Sequence, residues 1–452
     1  MSTFFIFFLV TSAVALLLFM VLKLKISAFI TLLIISIYVG ILTGMPVKNI
    51  LQSIQDGMGS TLGFVATVVG LGAIFGQMLE SSGGALSLAH SLVKKFGKEK
   101  ATWAMVITGF IVAIPVFLDV GFIILVPIIY ALSKDTGKSL LYYGIPLLAG
   151  LAVTHSFIPP TPGPVAVSDI LNAQLGWVIF FGVILGFPTA VIAGPFWGKY
   201  ISKKIHILPP AEFLNSFDET KKEKDLPSFR VVALIISIPL VLILLNTLSG
   251  LLVEKGVIEK SMLTDGVEFI GHPFTALIIA TLIAIYVLCV KRGMPKQTIL
   301  DLSTKALGPA GIIILITGAG GVLKQILVDS GIGKMMAESM ANSALPPIAL
   351  AWILAAVVRV TQGSATVAMI TAAGIIAPVI NELGLNDPQR ALVVLSIASG
   401  ATLLSHVNDS GFWLVGKYFG MNEKQTLQSW TVMESIIAVC GLAFTLLASL
   451  FV

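Results

Sequence analysis

Charged residues are scarce in this chain: they make up 11% of 452 residues, against 56% hydrophobic. Soluble domains carry about 25% charged residues. The chain therefore lacks the polar surface that a water-soluble enzyme of this size requires, whereas a lipid-facing surface requires none. With a mean hydropathy of +0.99, it reads as an all-α polytopic membrane protein. Cysteine is nearly absent. Cys289 and Cys440 are the two present, and both sit in apolar runs, which excludes a disulfide framework and a cysteine-rich metal site. No HExxH and no Cys/His cluster with metal spacing occurs, so neither a metal nor a cofactor is expected and nothing points to an enzyme. Gly137-Lys138-Ser139 resembles the end of a phosphate loop, but Leu132 stands where the earlier glycine is required, which removes support for ATP hydrolysis. Met1 to Leu22 lacks a basic n-region and a small-residue cleavage site and reads as a retained span. The net charge of +5 fits basic cytoplasmic loops, so it is no argument for nucleic acid.

What the chain does have is apolar runs. A hydrocarbon core of ~30 Å takes about 20 helical residues. Ten charge-free runs reach or approach that length: Phe4 to Leu22, Ile26 to Met45, Thr61 to Leu79, Leu140 to Ser156, Gly176 to Gly198, Val231 to Leu251, Phe274 to Val290, Gly311 to Leu323, Ala391 to Leu404 and Ile436 to Val452. Two further stretches differ. Ala101 to Leu132 carries a single charge, Asp119, and Leu345 to Asn381 carries only Arg359, just before Thr361-Gln362-Gly363-Ser364. Split at those points, each leg is about 15 residues and rises roughly 22 Å, so both are expected to be re-entrant hairpins. Lys and Arg set orientation. Lys199 to Arg230 holds seven basic residues and is expected in the cytoplasm; Glu254 to Glu268, rich in carboxylates, is expected outside.

Gly72 to Gly83 (GAIFGQMLESSG) and Gly320 to Gly331 (GGVLKQILVDSG) share Gly, Gln, Leu, Ser and Gly at equivalent positions. Each block is followed by an amphipathic stretch, a hairpin, a span and a histidine-bearing break. The same order on opposite starting sides is an inverted repeat, common in secondary transporters. The expected plan is five transmembrane helices plus one re-entrant hairpin in each repeat, with broken helices at the midplane. Residues 1–200 form the first repeat, with a cytoplasmic-side hairpin at 101–132; 201–228 form a cytoplasmic linker; 229–452 form the second repeat, with an outside hairpin at 345–381.

The breaks are where chemistry is expected. Pro159-Pro160-Thr161-Pro162-Gly163-Pro164 cannot continue a regular helix, and unwound backbone at membrane depth is tolerated where it is buried in protein or lines a cavity. Its counterpart is Asn408-Asp409-Ser410-Gly411, and the hairpin tips supply Pro115 to Gly121 and Thr361 to Thr366. Exposed amides and half-helix N-termini suit an anion, and hydroxyl and amide side chains suit substrate hydroxyls. The candidate substrate-binding residues are Asp119, His155, Ser156, Thr161, Gly163, Arg359, Gln362, Gly363, Ser364, Thr366, His406, Asn408 and Asp409. Ionisable groups are costly at this depth. Asp119, His155, His406 and Asp409 are the candidate proton carriers, Asp119 first because it is the isolated carboxylate of the first hairpin. Arg359 either meets a substrate carboxylate or pairs with Asp119 or Asp409, and Lys324 is expected to snorkel.

FLDVGFIILVPI (Phe117 to Ile128), HSFIPPTPGPVAV (His155 to Val167), GSATVAMIT (Gly363 to Thr371) and SHVNDSGFWLVGKYF (Ser405 to Phe419) resemble the gluconate permease family of proton symporters, and the likeness runs essentially end to end. The resemblance implies uptake of gluconate or a related sugar acid with protons across the bacterial inner membrane, and kinship with the ion transporter superfamily, whose paired hairpins move in elevator-like dimers. Family members generally read PPHPGP where this chain has Thr161, so any proton or carboxylate role of that histidine is absent here. Arg359 and the SHVND segment favour a sugar-acid branch over the branch that takes D-serine. The competing readings are a permease for another small hydroxy or amino acid such as D-serine, a passive anion channel, and a membrane-embedded enzyme.

Overall fold

The structure is a computed structural model that describes residues 3–97, 99–209, 226–332, 335 and 346–452. Most of the expected linker (210–225), the stretch expected to be amphipathic after Gly331, and Leu345 at the start of the second hairpin lie outside the described residues. No strand occurs among the described residues, and eight helices are long and apolar enough to cross a membrane.

The first half runs through α1 (Thr3–Leu22), α2 (Ala28–Leu42), α3 (Val47–Ser81), α4 (Gly84–Phe96), α5 (Ala101–Val112), α6 (Leu118–Thr136), α7 (Leu140–Phe157), α8 (Pro162–Ile170) and α9 (Leu175–Lys204). The second half comprises α10 (Phe229–Glu254), α11 (Met262–Gly271), α12 (Pro273–Arg292), α13 (Lys296–Asp329), α14 (Pro347–Gln362), α15 (Ala365–Glu382), α16 (Asp387–Gly400), α17 (Ser410–Phe419) and α18 (Glu423–Ala448). From the long helices α3 and α13 onward, and leaving α4 aside, the order of elements recurs among the described residues. The helices α3 and α13 have 35 and 34 residues, and each is followed by a glycine in the left-handed region, Gly83 and Gly331. A two-legged hairpin, a helix, a break, a short helix and a long helix then follow in both halves. Both long helices, α9 and α18, carry a five-residue π-turn, at Ile192–Phe196 and Leu427–Thr431.

Several boundaries differ from the charge-free runs. The helices α3 and α13 extend far beyond Thr61 to Leu79 and Gly311 to Leu323, because Lys48, Asp56, Lys296, Asp301 and Lys305 lie on polar helix ends that a charge-free window discards. At 1.5 Å per residue each is about 50 Å long. The run Ala391 to Leu404 is not one crossing, since α16 stops at Gly400 and turns lead to α17. Similarly, α18 begins at Glu423 rather than near Ile436. The proline break is also shorter than expected: Ile158–Thr161 are non-helical, but Pro162 opens α8, where a proline needs no donor.

Packing follows small residues. The hairpin leg α5 crosses α7 so closely that a β-carbon on Gly109 would lie 2.3 Å from the Leu147 carbonyl oxygen, and one on Gly150 would lie 2.3 Å from that of Val106. This is the small-residue contact through which membrane helices approach. In the second half α14 meets α16 in the same way. The helices α3 and α13 pack along one another, with Ser53 donating to Asp329 at 2.5 Å. The helices α7, α15 and α16 are buried over most of their length. Although α15 has 18 residues and is apolar enough to span, it is enclosed by protein. By contrast α10 turns Leu234, Val241, Leu245 and Leu248 outward, an apolar surface of the kind lipid covers.

Candidate functional site

Local sequence fixes three helix starts at one place. In the first hairpin Ile114 to Phe117 leave the helix, Phe117 is extended, and α6 begins at Leu118, so Asp119 occupies a first turn. That is where a helix N-terminus favours an anion. In the second hairpin α14 ends because Gly363 adopts φ +91°, and Ser364 caps α15 by accepting from the Val367 N–H at 3.4 Å. A β-carbon at Gly363 would lie 2.2 Å from the Asn408 carbonyl oxygen. Only glycine lets this tip press against the break between α16 and α17. At that break Asp409 caps α17, accepting from the Gly411 N–H at 3.2 Å.

These elements enclose a cavity of about 370 Å³, within the range of about 300–1,000 Å³ usual for small-molecule sites. Its walls are the α6 start (Leu118, Asp119), the α7 end (Ala152, His155, Ser156), the second hairpin tip (Arg359, Gln362 to Thr366), the second break (Asn408 to Gly411) and α18 (Trp430, Glu434). The N-termini of α6, α15 and α17 therefore border one space.

One cation sits in this lining. Arg359 is 3% exposed and donates from Nη2 to Asp409 Oδ2 at 2.5 Å. This is one of the two pairings the sequence offered; the other, with Asp119, is not formed. The other guanidinium nitrogens, Nε and Nη1, are buried with no hydrogen-bond partner among the described residues. Asp409 Oδ2 also accepts from the Ser405 hydroxyl, which in turn accepts from the Trp430 indole N–H at 2.7 Å. Asn408 Nδ2 donates to the carbonyls of Val360 and Thr361 at 3.0 and 3.3 Å, locking the hairpin tip to the break. His155 Nδ1 and Gln362 Oε1 are likewise buried without a partner among the described residues. A buried polar atom left unpaired is costly, and the guanidinium edge, an imidazole nitrogen and an amide oxygen make a set complementary to a hydroxylated carboxylate.

Ten of the thirteen candidate residues line this cavity: Asp119, His155, Ser156, Arg359, Gln362, Gly363, Ser364, Thr366, Asn408 and Asp409. Three do not. Thr161 is buried, its hydroxyl donates to the Ile158 carbonyl at 2.6 Å, and it faces a separate small crevice beside Gly72 and Pro115. Gly163 lies in the first turn of α8, where a β-carbon would sit 2.8 Å from the Met369 sulfur. The His406 ring pairs with the Val360 carbonyl at 2.8 Å, outside the lining. Asp119 lines the cavity from the first turn of α6. The enclosed carboxyl is Glu434, 4% exposed. The sequence reading passes over it because Glu434 immediately precedes the charge-free run that begins near Ile436. The available signal was an acidic residue four positions after Trp430 at the head of a long apolar helix.

A family description, GntP family permease, matches residues 5–451. The chain belongs to the GntP family of permeases. It is 42% identical over 429 residues to a gluconate permease of Pseudomonas aeruginosa, covering 95% of this chain and 94% of that one. It is also 41% identical to a low-affinity gluconate transporter of Escherichia coli K12, covering 96% and 97%. Among solved structures it shares the fold of the YdaH transporter of Alcanivorax borkumensis, with a TM-score of 0.62 at 14% identity over 92% of this chain and 96% of that chain. The protein is thus a polytopic membrane permease, not an enzyme.

Proposed function

We propose that this permease imports gluconate or a related sugar acid together with protons across the bacterial inner membrane. The observation that carries this reading is the half-satisfied guanidinium of Arg359, set on a cavity bordered by three helix N-termini. Arg359 already neutralises Asp409, and its two unpaired nitrogens remain to donate to a carboxylate. The helix N-termini add partial positive charge without a second cation. Ser156, Gln362, Ser364, Thr366 and Asn408 provide the hydroxyl and amide groups that a polyhydroxylated chain needs. Relatives named for gluconate support the sugar acid over D-serine.

Protons would be carried by titratable groups of this region, with Asp119, Asp409, His155 and His406 as candidates. The doubled order of elements supports an inverted repeat, with residues 1–200 and 229–452 as its halves, 201–228 as a cytoplasmic linker, and the hairpins at 101–132 and 345–381 entering from opposite sides. In the elevator-like scheme the hairpins and broken helices move as one body, in a homodimer, while α3 and α13 stay with the scaffold. A passive channel needs a continuous polar pore, whereas the candidate binding groups line a cavity formed where helices break. Counterflow of labelled gluconate in proteoliposomes, against a panel of aldonates, uronates and D-serine, tests the reading: exchange confined to sugar acids is expected, and exchange confined to D-serine overturns it.

A further inference from the structure

Three carboxyl groups and one guanidinium share the cavity: Asp119, Asp409, Glu434 and Arg359. With all of them ionised the lining would carry a net charge of minus two before an anion arrives. Like charges confined to one space repel, so an incoming carboxylate is favoured when one negative charge is removed. The three carboxyls are not equivalent. Asp409 is already engaged, since it accepts from Arg359, Ser405 and the Gly411 N–H. Asp119 lies in the first turn of α6, where a helix N-terminus favours a negative charge. Glu434 lies within α18, away from the helix N-terminus. It is 4% exposed, and it sits one turn past the π-turn that ends at Thr431. It feels the charges of both Arg359 and Asp409.

We propose that Glu434, rather than one of the four candidates named from the sequence, is the proton carrier of this permease, and that its protonation removes the negative charge that would repel a substrate carboxylate from the unpaired edge of Arg359. The proposal rests on the sugar-acid reading of the same cavity. A proton from external water adds to the Glu434 carboxylate; the substrate anion then enters and meets the unpaired edge of Arg359. After the cavity turns inward the anion leaves, Glu434 regains the influence of Arg359, and the proton passes to cytoplasmic water. One proton and one monoanion move per cycle, so charge balances. The charged and titratable groups facing Glu434 are Arg359 from α14, Asp409 from the second break, Asp119 from α6 and His155 from α7. His406 is held apart by the Val360 carbonyl.

The test uses the full-length protein in proteoliposomes, with wild type, Glu434→Gln and Glu434→Asp. Wild type should accumulate labelled gluconate under an inward proton gradient, with a KM that falls as external pH falls. Failure of wild type to exchange gluconate at any pH defeats the sugar-acid reading, irrespective of Glu434. With that exchange present, Glu434→Gln should lose gradient-driven accumulation and show a KM that changes less than two-fold over the pH range where the wild-type KM changes ten-fold. Concentrative, pH-dependent uptake by Glu434→Gln would overturn the proposal. If Glu434→Gln fails to assemble, Glu434→Asp decides: a displaced pH midpoint supports the proposal and an unchanged profile refutes it.

Discussion

Replacing Arg359 by lysine isolates the geometry of the guanidinium from its charge. Arg359 spends one nitrogen, Nη2, on Asp409 and keeps Nε and Nη1 unpaired. A lysine at this position would be drawn to the Asp409 carboxylate and would retain a positive charge, but a single ammonium cannot hold Asp409 and also present the planar edge. The substrate would lose one charge-assisted hydrogen bond, worth about 1.5–3 kcal/mol. That corresponds to roughly a ten- to hundred-fold rise in the gluconate KM, since 1.4 kcal/mol is about tenfold. A neutral polyol analogue, with no carboxylate, should show a much smaller change. The assay is initial-rate uptake into proteoliposomes, with insertion of Arg359→Lys verified by its elution as a folded species. An unchanged gluconate KM in a correctly inserted variant would refute the reasoning and return Arg359 to a purely structural pairing with Asp409.

The remaining predictions address the frame around that contact. Asp409→Asn leaves the buried Arg359 without its counter-charge, a loss of about 3–5 kcal/mol for a broken buried pair, so thermal melting in detergent should move to lower temperature; an unchanged melting point would contradict the pairing. Gly363→Ala places a β-carbon 2.2 Å from the Asn408 carbonyl at φ +91°, and transport should be lost while the protein still reaches the membrane; wild-type uptake would show that the tip does not press on the break. Cysteine in place of Lys204 should react with an impermeant thiol reagent only from the cytoplasm, and cysteine in place of Asp265 only from outside; labelling from the opposite faces would overturn the assigned orientation. With one proton carrier the cycle is electroneutral, so an imposed potential should not alter accumulation. Two protons would add about 2.3 kcal/mol per 100 mV, roughly fifty-fold, and such a response would contradict the single-carrier account.

Much of this site was legible because the physical constraints on buried backbone and buried charge are severe. Asp119 and Arg359 stood out as isolated charges in long apolar stretches, and both line the cavity. Gly363 and Asn408 to Asp409 stood out as breaks, and they pack against each other. Composition could not show which break faces which space. Thr161 and Gly163 belong to a proline-rich segment as irregular as any in the chain, yet its four prolines fit a tight turn and the first turn of a helix, and these residues pack on α3 and Met369. Glu434 was hidden for the opposite reason. It lies within a regular helix, and its placement depends on the π-turn at Leu427–Thr431, which changes the face that later residues present. No periodicity argument anticipates that shift. The lengths of α3 and α13 were missed because helices continue through charges wherever the charged ends leave the apolar zone.

The most direct test of the central claim is whether purified protein in sealed proteoliposomes concentrates labelled gluconate against its gradient when the outside is made acidic. The account predicts accumulation well above the external concentration, collapse on adding a protonophore, and competition by other aldonates. Equilibration without accumulation at every imposed pH difference, with uptake otherwise rapid and saturable, would contradict it.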